Sequence, residues 1–211
     1  KKGFGKIRHS NLKKQIYLKA FSNNDIMGFL DSIKRGILLI RLNGKAAVEI
    51  AKDPNSTLYG FVIIAVAGLL YAFAFHIRTV PFNAKDFLTE FGTYVLFTII
   101  GILIFHGLAK IFGGKSSFRD YFRAQSHVSL LGWLSILMII DIQFFPNVLD
   151  FLIMVWGIVM TIVILKSLHK LSTGKAIAVA IALPVLLILL VIIGALAYFG
   201  VLSPDKFLPM N

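Results

Sequence analysis

Apolar residues in this chain fall in five long blocks, at about 58–75, 91–109, 127–142, 148–165 and 176–201, with polar residues gathered between them. The first block, LYGFVIIAVAGLLYAFAF, has 18 residues. At about 1.5 Å per residue it comes close to the roughly 30 Å hydrocarbon core of a bilayer. The third block is short. The fifth is long enough to tilt, and Pro184 within it predicts a kink one turn upstream. The pattern predicts an all-α integral membrane protein with five transmembrane helices.

Ahead of the first block the period changes. Phe29, Leu30, Ile33, Ile37 and Ile40 recur at helical spacing and predict an amphipathic helix. Lys34, Arg35, Arg41 and Lys45 accompany it, as suits a helix lying at lipid head groups, while Gly36, Asn43 and Gly44 weaken it. A second short helix, 45–52, should stop before Asp53-Pro54, because a residue preceding proline disfavours the helical region. Residues 27–57 therefore read as amphipathic juxtamembrane helices, serving as an anchor beside the first span or as a docking surface. Residues 1–26 form a basic arm without the apolar core of a signal peptide. Met27 could be the natural start, so the arm is native, non-native or mis-started. Residues 202–211 form a tail.

Composition agrees with the pattern. Of 211 residues 57% are hydrophobic and the mean hydropathy is +0.82, against roughly 45–50% apolar residues in soluble domains. The blocks leave room for one membrane domain and no large soluble one. The absence of cysteine excludes disulfides, thiolate metal sites, iron–sulfur clusters and cysteine nucleophiles.

The formal net charge of +12 would point to nucleic acid in a soluble protein. Here twelve of the 22 Lys and Arg precede residue 58, and a basic juxtamembrane segment meets anionic lipid instead. No nucleic-acid partner is expected. Counting loops alternately, nineteen basic residues fall on one side and three on the other. The positive-inside rule then places the N-terminus in the cytoplasm and the C-terminus outside the cell membrane.

Candidate chemistry is sparse. GGKSS at 113–117 resembles the end of a phosphate-binding loop, but the glycine required five residues before Gly114 is Ala109, and a membrane helix precedes it instead of a strand. A helix stop followed by a short helix, FRDYFRAQ, fits better. His106, His127 and His169 are predicted at similar depth and are weak metal-ligand candidates, without a carboxylate at ligand spacing. Asp141 and Asp150, with Gln143 and Asn147, flank a tight outer turn that needs such residues anyway. The middles of the five blocks carry no Asp, Glu, Lys or Arg, which argues against ion pumping or proton coupling. A passive pore would have Thr93, Thr98, Ser129, Ser135, Thr161 and the histidines to draw on. Trp133 and Trp156 sit inside blocks, which favours packing. Ala176, Ala180 and Pro184, and separately Gly157 and Thr161, share helix faces that allow close contact.

Two segments carry a family likeness. AAVEIAKDPNSTLYGFVIIAVAGLL at 46–70 ends a short helix in an acidic-Pro step before the first span. IIGILIFHGLAKIFGGKSSFRDYF at 99–122 runs the second span into Gly-Gly-Lys and an aromatic-basic helix. With the short turn between the third and fourth blocks, residues 43–200 resemble the Yip domain family, five-span proteins named for interaction with Ypt/Rab GTPases. Family members often carry proline near the start of the first cytoplasmic helix, where this chain has Asn43-Gly44. The acidic-aromatic segment of the eukaryotic members is absent, so the chain looks more like the compact prokaryotic members. The resemblance implies a five-span scaffold and a binding, non-enzymatic character, without a Rab-type function.

The expectation is a non-catalytic membrane protein without cofactors, a scaffold or an accessory subunit of a larger complex. Its partners would be membrane lipids, other membrane subunits or further copies of itself. The surface expected to meet lipid or a partner is Lys34, Arg35, Arg41, Lys45, Lys110, Lys115, Arg119 and Arg123. The alternatives are a passive channel or permease and a histidine-based intramembrane metalloprotein.

Overall fold

The computed structural model describes residues 23–79, 83–140 and 142–198. Most of the basic arm, Asp141, the end of the fifth block and the tail lie outside them. The described residues form helices and no strand: α1 (Asn23–Ile40), α2 (Gly44–Lys52), α3 (Ser56–Thr79), α4 (Ala84–Ile111), α5 (Phe118–Ser126), a 3-10 helix (His127–Ile139), α6 (Phe145–Leu168) and α7 (Thr173–Tyr198). Among the described residues three helical segments are long and apolar enough to cross a membrane: Ser56–Ile77, Ala84–Ile111 and Phe145–His169.

Local chemistry sets the short helices. Asn43 caps α2 by accepting from the Lys45 backbone N–H at 3.0 Å, satisfying one of the orphan donors of a first turn. Asp53 ends α2, and its side chain accepts from Asn55 N–H at 2.9 Å, turning the chain into α3. Ser117 caps α5 by accepting from Asp120 N–H at 3.1 Å and donates its hydroxyl to the Asp120 carboxylate at 2.7 Å.

The third apolar block is wound as a 3-10 helix of 13 residues that continues α5 without a loop. At about 2.0 Å rise per residue it extends roughly 26 Å, against about 20 Å for an α-helix of that length. It is the central element, packed chiefly on α3 and also on α6 and α1. Helix α4 lies against α3, and α7 against α6 and α4.

The largest buried cluster lies toward one end of the bundle, while α3 is buried at intervals along its length, at Ile63, Ala67, Ala72 and Ala74. The cluster joins Leu39 of α1 and Ala47 and Ile50 of α2 to Ile102 and Ala109 of α4, Tyr121 of α5, Met160 and Ile164 of α6, and Ala176 and Ala180 of α7. The expected small-residue contact at Ala176 and Ala180 is thus made within the chain. Toward the other end, Leu96 and Phe97 of α4, Phe151 and Leu152 of α6, and Leu189 and Leu190 of α7 are all exposed.

Helix α1 has two distinct faces. Leu30 and Ile37 of its apolar stripe are exposed, while Ser32, Gly36 and Leu39 are buried. A Cβ on Gly36 would lie 2.3 Å from Leu130 Cδ1 and 3.3 Å from His127 Cδ2. The helix therefore docks through its smallest residues, which let its backbone approach the 3-10 helix. Trp156 Nε1–H donates to the Ile40 carbonyl at 2.9 Å, occupying one of the carbonyls left open at the end of α1.

Candidate functional site: the basic end cap

Helices α1, α2 and α5 and the 113–117 loop close the core end of the bundle. Helix α2 packs on α1, α5 and α6. The loop is clamped to the ends of α6 and α4: the Lys115 N–H donates to the His169 carbonyl at 3.1 Å, and the Gly114 N–H donates to the Ala109 carbonyl of α4 at 2.8 Å. Gly113 has φ of +88°, and a Cβ on Gly114 would lie 2.4 Å from His169 Nδ1. The Gly-Gly step thus exists to turn the chain tightly over a histidine, which accounts for GGKSS without a phosphate.

The eight basic residues singled out from sequence separate into two groups. Arg41, Lys45, Lys110, Lys115 and Arg119 are exposed. Lys34 is also exposed but pairs with Asp31 at 2.9 Å. Arg35 is half-buried and paired, and Arg123, being buried, is a correction. Arg35 forms an ion pair with Asp53 at 2.5 Å, with the two side chains 24% and 21% exposed, so its charge is largely neutralised. Burial works to raise the Asp53 pKa, but the Arg35 hydrogen bond and charge and the Asn55 N–H outweigh it and hold the carboxyl below its usual range. Arg123 is buried. Its Nε–H donates to Thr57 Oγ1 at 2.8 Å and its NH1 donates to the Ala51 carbonyl at 2.9 Å. It ties α5 to the ends of α2 and α3 and offers nothing to a lipid or partner. Two residues on, Gln125 Nε2 donates to Thr161 Oγ1 at 2.8 Å and fixes α5 to α6.

Lysines that sequence reasoning left out complete the surface. A cleft of about 280 Å³ between α2, the 113–117 loop and the end of α6 is lined by Lys52, Lys115 and Lys170 with Ser116, Ser117, Asp120 and Ser167. Lys170 holds φ of +57°, uncommon for a non-glycine residue. The signal for Lys52 and Lys170 was the loop charge count, which gathered them on one side without bringing them together.

The histidines do not form a triad. His106 and His169 lie with ring centroids 5.1 Å apart and planes tilted by 50°, and Tyr121 lies 5.7 Å and 5.1 Å from them. His127 is elsewhere, 2.7 Å from Ser32 Oγ through Nε2 and 2.6 Å from the Arg123 carbonyl through Nδ1. Both its nitrogens are engaged in holding α1 and α5. Burial pushes the Tyr121 phenol up, keeping its proton on, so the third member of the ring cluster is a poor ligand. Among the described residues no group of three His, Cys, Asp or Glu side chains is placed to hold a metal ion.

The hydroxyl residues of the apolar blocks are held in different ways. Ser135 and Thr161 donate to carbonyls of their own helices at 2.6 Å and 2.8 Å, and Thr93 is exposed on α4. Asp150 is exposed beside Asn147 and Tyr71 in a separate cleft of about 260 Å³ at the far end. Both tryptophans join helices, Trp133 by donating to the Ile63 carbonyl at 3.2 Å.

No curated protein and no solved structure matches the chain. A family model of the Yip1 domain matches residues 37–196, from the last turn of α1 through most of α7. With an all-helical bundle whose polar keys cluster at one end and whose membrane-length helices are apolar around their circumference, that match over most of the chain shows that this protein belongs to the Yip1 domain family.

Proposed function

We propose that this protein is a non-catalytic scaffold or accessory subunit of a membrane complex, acting by binding through its basic end cap. The observation that carries this reading is the cleft of Lys52, Lys115 and Lys170, where three ammonium groups face a single carboxylate, Asp120. Such a surface fits an acidic segment of a membrane partner, since charge complementarity steers and orients association. In this reading α3, α4, the 3-10 helix, α6 and α7 make five crossings of the cell membrane, with the cap in the cytoplasm and the C-terminus outside. The charge count of the loops supports that orientation, and the compact form resembles the prokaryotic members of the family.

Extraction from native membranes in mild detergent, followed by mass spectrometry of co-eluting proteins, tests the reading. A discrete partner should be retained by the wild type, weakened by salt, and lost from the triple reversal K52E/K115E/K170E. Retention by the triple variant would overturn the role of the cleft. Labelling of single cysteines introduced into this cysteine-free chain counts the crossings, and modification of residue 52 only from outside the cell would overturn the orientation.

A further inference from the structure

The membrane-length segment Phe145–His169 contains one acidic residue, Asp150, in the second turn of α6. A carboxylate in such a helix is costly and marks a site for a partner. Among the described residues no Lys, Arg or His nitrogen lies within 4.0 Å of it. Asp150 lines the far-end cleft of about 260 Å³ between α3, the 3-10 helix and α6, together with Tyr71, Phe75, Met138, Pro146 and Asn147. Much of the surface this cleft presents is polar, and its polar side chains are Asp150, Asn147 and Tyr71. Asn147 and Asp150 stand three residues apart on α6, which makes them neighbours on one face. The Asp150 charge acts on the Tyr71 phenol. The Tyr71 ring is backed by Tyr94, with centroids 5.4 Å apart. Among the described residues none of the three side chains has a hydrogen-bond partner.

We propose that this cleft binds a primary ammonium group. Such a group has one positive charge, three N–H donors and no acceptor. The cleft answers each property. The Asp150 carboxylate supplies the countercharge, and a charged acceptor makes the strongest hydrogen bond. The Asn147 side-chain carbonyl and the Tyr71 oxygen are two further acceptors in the same small lining. Other occupants fit less well. An anion would meet a carboxylate with no cation beside it. A calcium ion takes roughly six to eight oxygen ligands, commonly with several carboxylates, and among the described residues Asp150 is the one carboxylate of the lining. A trimethylated ammonium has the charge but no N–H to give. The amine is either free in solution or the head group of a lipid, since the cleft lies at one end of membrane-length helices.

The inference rests on the chain being a membrane protein and is independent of the basic cleft at the other end. Detergent-purified, delipidated full-length protein is analysed by native mass spectrometry with two matched pairs of probes. One pair is ethanolammonium against choline. The other is phosphatidylethanolamine against phosphatidylcholine of identical acyl chains. The wild type should prefer the primary amine about tenfold, the scale of one hydrogen bond to a charged group. Preference within both pairs identifies a site for soluble amines, and preference within the lipid pair alone identifies a head-group site. Asp150→Asn should abolish the preference, and Asp150→Glu should restore part of it. Tyr71→Phe should lower it about threefold, the scale of one neutral hydrogen bond. K52E/K115E/K170E should leave it unchanged. Equal retention within both pairs by the wild type, or an unchanged preference in Asp150→Asn, would overturn the site. Asp150 is exposed, so its variants should fold, and their melting temperatures check this directly.

Discussion

Arg123 and Phe97 sit in the two contrasting regions of this molecule. Arg123, in the cap, is buried and makes two hydrogen bonds to α2 and α3. Phe97, on the outer face of α4, is 65% exposed. The cap is held by polar contacts of long sequence range: Arg123 to Thr57, Ser32 to His127, Gln125 to Thr161. The outer halves of α4, α6 and α7 display apolar side chains with little buried between them. In water such a surface would collapse. In lipid it has no reason to, because acyl chains are as apolar as leucine and helix contact must come from close packing or hydrogen bonds. Specificity is therefore concentrated in the cap, and a substitution there should matter far more than one of equal size on the outer face.

The largest effect expected is from Arg123→Ala. It leaves the Ala51 carbonyl and the Thr57 hydroxyl short of a donor in a buried site, a loss of about 3 kcal/mol, or roughly 6–12 °C in melting temperature measured in detergent. Arg123→Lys should recover little, because one ammonium cannot reproduce the divergent donors of a guanidinium. Next comes Gly36→Leu. Helix propensity alone favours leucine there by somewhat under 1 kcal/mol, whereas the contact with Leu130 and His127 opposes it by about 1–3 kcal/mol. Net destabilisation, with a cysteine at the buried position Leu39 becoming open to labelling, is the expected result. A more stable protein would mean that α1 does not dock as described.

A smaller effect is expected at the Arg35–Asp53 pair. Asp53→Asn should cost about 1 kcal/mol. Because the folded carboxyl titrates below its unfolded value, the pair contributes fully above about pH 4 and is lost as the pH falls through the folded pKa. An acid-side decline in melting temperature in the wild type should therefore flatten in Asp53→Asn. The smallest effect belongs to Phe97→Ala, which should stay within about 0.5 kcal/mol. A loss as large as that of Arg123→Ala would show that the outer face of α4 is covered by another chain.

Much of this was legible in the residues. Asn43 and Asp53-Pro54 bound α2, and Gly113-Gly114 with Ser117 separates α4 from α5, as their chemistry requires. The charge count of the loops gathered the lysines that line the basic cleft. Other features were not legible. Arg35 and Arg123 looked like surface charges because nothing local distinguishes them from Arg41 or Arg119. The histidines looked like a possible triad because depth along a helix is readable while direction around it is not. His127 turned toward Ser32, away from His106 and His169.

The sequence by itself determined the lengths of the apolar blocks, the ends of the short helices and the uneven distribution of charge. Each depends on residues within a few positions of one another. The tertiary structure decided which face of α1 is buried, which arginines remain free and how the third block is wound. Those depend on shape matched between helices far apart in the chain, such as Gly36 against Leu130 and Arg123 against Ala51. In a protein surrounded by lipid, hydropathy cannot separate a face turned toward another helix from one turned toward the bilayer, because both are apolar. Only small residues and paired polar groups mark the difference, and their partners are set by the fold.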